Sequence, residues 1–144
     1  MRRCLVLALM LLPSLALAQE GRKFNQKELE KDFDPLPVYS VRGQAVDNEV
    51  IVSVEPERDL IQADYVVRAE VKKVVDFYKT KLLTDPKKEG EEELGTLKYN
   101  FAPKPHKGDK RLFRVLVQQA EGNKANTVIR LLRRKVTEED NVED

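Results

Sequence analysis

Ala63-Asp64-Tyr65-Val66-Val67-Arg68-Ala69-Glu70-Val71-Lys72-Lys73-Val74-Val75-Asp76-Phe77-Tyr78-Lys79-Thr80-Lys81-Leu82 decides the fold, because its hydrophobic period changes partway along. Ile61, Ala63, Tyr65 and Val67 alternate with Gln62, Asp64 and Arg68, the period of a half-buried strand. Val71, Val74, Val75, Tyr78 and Leu82 then fall at helical spacing and form one apolar stripe, with Phe77 on its flank. Lys72, Lys73, Asp76 and Lys79 face water in that reading, and Lys72 can pair with Asp76 one turn on. Asp85-Pro86 stops the helix.

Upstream, Val46, Val50, Val52 and Val54 keep period two until Pro56, so a strand over 46–54 is expected to hairpin on 61–67 through Glu57-Arg58-Asp59. Downstream, the same parity marks Leu97, Tyr99 and Phe101, then Phe113, Val115 and Val117, and finally Val128 to Leu132. The charged segment Lys87 to Glu93 has nothing to bury and reads as a loop. Asn25 followed by Glu28 matches a helix N-cap with a reciprocal carboxylate, giving a short helix to about Asp32 before Pro35 and Pro37. The expected architecture is α+β: an antiparallel sheet of about five strands, one main helix on one face in the order β-β-α-β-β-β, and a short N-terminal helix.

The quoted strand and helix resemble a strand-then-VxxFYxxxL-helix signature of small exported bacterial proteins of uncharacterised function, with Val74, Phe77, Tyr78 and Leu82 on the motif positions. Leu36-Pro37-Val38-Tyr39 is similar to the Pro-rich lead-in of that group, and the resemblance extends loosely to about Leu132. It implies a small helix-on-sheet domain and supplies no activity or site residues.

Export is also expected from the first eighteen residues. Arg2 and Arg3 give a positive start, Cys4 to Leu12 an apolar run, and Ala16-Leu17-Ala18 a small-residue cleavage site with Gln19 as the new N-terminus. The apolar run is too short to span hydrocarbon, and Pro13 interrupts it. Gln19 stands where a lipoprotein needs Cys, and the Arg pair lacks the flank of a twin-arginine signal, which points to the general secretory route. Cleavage would leave 126 residues without cysteine: an N-terminal extension over 19–36, one domain over 37–135 and a disordered acidic tail over 136–144. A thiol-free exported domain fits a bacterial envelope protein, periplasmic or secreted, with no transmembrane segment.

Candidate chemistry is sparse. Ser40 and Ser53 lack a Gly-flanked elbow, and the sole imidazole, His106, lies between Pro105 and Lys107 in an expected loop. Glu91, Glu92 and Glu93 could hold a hard cation or act as acid and base, but such runs are usually just hydrated. Glycine-rich phosphate cradles are absent from the sequence, and the Asp-x-Asp spacing of a calcium loop occurs only at Asp32 and Asp34, without its Gly and downstream Glu, so no catalytic residue, cofactor or metal is assigned.

Charge gives the one lead. Residues 19–103 carry 14 basic and 18 acidic side chains, residues 104–135 carry 10 and 2, and residues 136–144 carry 5 acidic side chains and no basic one. Lys104, Lys107, Lys110, Arg111 and Arg114 span a loop and the start of one strand, while Arg130, Arg133, Arg134 and Lys135 lie on the last strand. If those strands pair antiparallel, the two sets are expected at opposite ends of the hairpin unless register or twist joins them. As a patch they would attract an anionic envelope polymer, a lipid head group or an acidic protein partner; otherwise they are a solvated face. The acidic tail could fold back and screen Arg133-Arg134-Lys135. Nucleic acid is not expected, since aromatics do not interleave with the cations. The function classes left open are a non-enzymatic envelope interaction module, a structural or regulatory accessory subunit, with a homodimer among the partners to consider, and a small carboxylate-dependent hydrolase.

Overall fold

The structure, a computed structural model, describes residues 18–39 and 45–141. The expected leader up to residue 17, Ser40 and the last three residues of the expected tail lie outside them.

Seven antiparallel strands form one sheet: β1 (Ala18–Lys23), β2 (Ala45–Glu55), β3 (Leu60–Val67), β4 (Lys87–Glu89), β5 (Lys98–Phe101), β6 (Arg111–Ala120) and β7 (Asn123–Lys135). Their order is β1-β2-β3-β7-β6-β5-β4, so the last strand fills the centre between β3 and β6. Helices α1 (Gln26–Phe33) and α2 (Val71–Leu82) pack on one face. The α+β class therefore stands, with two strands more than expected.

Both unexpected strands are edges. β1, AQEGRK, has no apolar alternation, and the backbone ladder to β2 holds it extended. β4 is three charged, exposed residues pairing with β5, a short edge of the kind that discourages further strand addition. After it the acidic loop is wound. Gly90 sits at φ +85, a Cβ there would lie 2.3 Å from the Thr96 carbonyl oxygen, and the Glu91 N–H donates to Thr96 Oγ1 at 3.0 Å.

Alternation decides which face each residue serves. Ala63, Tyr65 and Val67 of β3, Val115 and Val117 of β6, and Ile129 and Leu131 of β7 point into the core with at most 2% exposure. The stripe on α2 meets them through Val74, Val75 and Tyr78, with Val71, Phe77 and Leu82 half-buried. Lys72 and Asp76 do not pair; both are exposed, and the ion pair of this helix joins Lys79 to Asp85. In α1, Asn25 Oδ1 accepts from the Lys27 and Glu28 N–H groups, but Glu28 returns no bond, so only half of the expected capping box forms. The helix runs to Phe33, one residue past the expected end, because Phe33 and Leu29 share a buried face.

The Pro-rich lead-in is core, not linker. Leu36, Val38 and Tyr39 are buried, the Tyr39 N–H donates to the Tyr78 hydroxyl at 3.1 Å, and the Tyr65 hydroxyl donates to the Tyr39 carbonyl at 2.8 Å. Burial pushes the Tyr65 and Tyr78 hydroxyls well above their ordinary pKa, so both stay neutral donors and acceptors.

Candidate functional site

The basic block is built on the β6–β7 hairpin, and its register corrects the sequence expectation. Antiparallel pairing sets the start of β6 against the end of β7: Arg111 opposes Lys135, Leu112 opposes Arg134, Phe113 opposes Arg133 and Arg114 opposes Leu132. Both sets of cations, Arg130 apart, therefore lie at the same end. Two antiparallel strands share an end wherever the first begins and the second finishes. The loop carrying Lys104, Lys107 and Lys110 joins them, because Lys110 accepts the Val136 N–H at its carbonyl.

Strand parity then divides these cations between the two faces. On the helix-covered face, Arg111 lies 5.2 Å over the Phe113 ring and is held by Asp109 at 3.0 Å. Asp109 is shifted below the ordinary carboxylate range, chiefly by that side-chain bond. Arg133, 16% exposed, donates to the Asp32 carbonyl in the last turn of α1 and reaches Asp59 in the β2–β3 turn. It caps a helix end and ties it to β7. These two arginines serve the fold.

On the uncovered face, Arg130 is further along the strand, opposite Leu116, and forms a two-point pair with Asp64 of β3 at 2.8 and 3.1 Å. Arg134 forms a second such pair with Asp140, 2.7 Å at both oxygens. Arg114 belongs to the same face, and burial, followed by the charge of Arg134, lowers its pKa. Among the described residues, Lys104, Lys107, Lys110, Arg114 and Lys135 make no ion pair. Five cations of the expected nine thus remain available, all at one end.

Residues 136–141 carry a short 3-10 turn, Glu138–Asn141, after the last strand. Between this turn and the hairpin lies an open groove of about 630 Å³, with Arg58, Arg134 and Lys135 on one side and residues 137–140 on the other. Sequence reading missed Arg58, since only the pairing of β3 with β7 carries the β2–β3 turn to the end of β7.

Other concavities are less one-sided. A groove of about 380 Å³ beside α2 has Val71, Val75 and Tyr99 in its wall but mixes Lys72, Lys79 and Lys88 with Asp76 and Glu92. His106 is exposed in a turn beside a pocket of about 50 Å³, Ser53 is buried on the uncovered face, and Glu91, Glu92 and Glu93 are exposed. Among the described residues, no three His, Cys, Asp or Glu side chains gather so as to hold a metal ion, and no helix is long and apolar enough to cross a membrane. No family model, no curated protein and no solved structure matches this chain.

Proposed function

We propose that this chain is an exported, non-enzymatic interaction module that contacts an anionic component of the cell envelope through the open end of the β6–β7 hairpin. One observation carries the reading: the antiparallel register and the loop that enters it gather Lys104, Lys107, Lys110, Arg114 and Lys135 at one end, without a carboxylate partner among the described residues. Such a cluster focuses a positive potential and speeds encounter with an anion, an effect that salt weakens. The arginine-initiated apolar leader and the thiol-free domain support an envelope location, as does the likeness of Val74-Val75-Asp76-Phe77-Tyr78 to exported helix-on-sheet proteins.

The test is binding of the full mature chain, at low and physiological salt, to phosphatidylglycerol-containing vesicles, neutral vesicles and soluble polyglutamate. Binding to an anionic probe that falls with salt and is lost in K107E/K110E/K135E supports the reading. Equal binding to neutral vesicles, no binding to any anionic probe, or indifference to the charge reversal would overturn it.

A further inference from the structure

The tail turn presents a ligand as well as a lining. Asp140 engages Arg134 with both carboxylate oxygens at 2.7 Å, and Oδ2 also accepts the Thr137 N–H at 2.8 Å and the Thr137 hydroxyl at 2.9 Å. The parallel two-point geometry is the one by which a guanidinium recognises a planar carboxylate. Little else holds the turn. Thr137, Glu138 and Glu139 are exposed, Val136 is half-buried, and one backbone bond, Val136 to Lys110, docks the segment. A turn that buries almost no apolar surface can leave at small cost.

Leaving would free the Arg134 guanidinium, on the same sheet face as the already exposed Arg114 and with Lys135 and Arg58 beside it. Resting on the reading of this end as an anion-contacting surface, we propose that Asp140 occupies in cis a seat for an aspartate or glutamate side chain of an acidic peptide segment, borne by a protein partner. The tail is then a built-in competitor. Because it is tethered a few residues from the seat, it acts at high effective concentration yet through a single half-buried pair, so a peptide presenting several carboxylates to Arg114, Arg134 and Lys135 can displace it.

The experiment separates position from net charge. Affinity for a fluorescent polyglutamate peptide is measured at low salt for the full mature chain, for D140N and for E138Q/E139Q, with phosphatidylglycerol vesicles and inorganic phosphate as alternative probes and thermal melts to verify folding. D140N, which removes one charge, is expected to tighten peptide binding about fivefold. E138Q/E139Q, which removes two, is expected to change it less than about twofold, since neither side chain bonds the seat. R134A in the D140N background should abolish the gain.

An equal gain in both variants, or none in D140N, would overturn the proposal. So would a gain confined to vesicles or phosphate. If K107E/K110E/K135E still weakens binding while D140N changes nothing, the anion-contacting reading survives and the cis occupant does not. If no variant binds any anionic probe, both fall.

Discussion

The two ends of the β6–β7 hairpin are made in different ways. At the closed end Glu121-Gly122 links the strands, with Gly122 at φ +73, Asn123 Oδ1 accepting the Ala125 N–H and Thr127 Oγ1 donating to the Ala69 carbonyl at 2.6 Å. Most of those contacts are local. At the open end, cations meet partners from α1, the β2–β3 turn, the β5–β6 loop and the tail. A strand end far from its turn thus collects whatever the topology places beside it. Here it gathers an excess of positive charge, only part of which the fold absorbs.

The sharpest way to break this contrast is at the closed end. Thr127→Val keeps the shape but leaves the Ala69 carbonyl buried without its donor, and is expected to cost about 1–3 kcal/mol in urea unfolding. An unchanged midpoint would mean that the turn alone sets this end. At the open end, Arg133→Met is expected to cost about 1–2 kcal/mol, because the α1 carboxyl end loses its cap. Amide exchange should quicken in α1 first; if α1 keeps its protection, Arg133 belongs with the free cations instead.

What the sequence discloses follows the same division. Alternation at Tyr65, Val67, Val115, Val117, Ile129 and Leu131 and the stripe from Val71 to Leu82 are direct prints of one buried face, so class, main helix and central strands were legible. β1 and β4 were not, since an edge strand needs only backbone partners and its side chains carry no pattern. Membership of the basic block was legible from composition. Its sorting was not, because Arg133 is distinguished from Lys135 by contacts to Asp32 and Asp59, residues 101 and 74 positions away. The end at which the cations meet follows from the ordinary geometry of a hairpin and needed no coordinates.

A smaller effect concerns acid. Arg134, chiefly, holds the Asp140 carboxyl well below the ordinary carboxylate range. Its pair therefore favours the folded tail fully above the unfolded value near 4 and is lost as pH falls through the depressed folded value. The stability difference between the parent protein and D140N should thus shrink on acidification below about pH 4. Measured by thermal melts, a difference that grows there would contradict the pair.

The central claim is that placement, not total charge, makes the open end an anion-binding surface. Charge-matched reversals decide it: K104E/K107E/K110E at the hairpin end against K72E/K73E/K79E on the helix, each titrated with the same anionic probe at low salt. The hairpin reversal should weaken binding at least about tenfold while the helix reversal changes it less than about threefold. Equal losses would show that only net charge matters and would contradict the account.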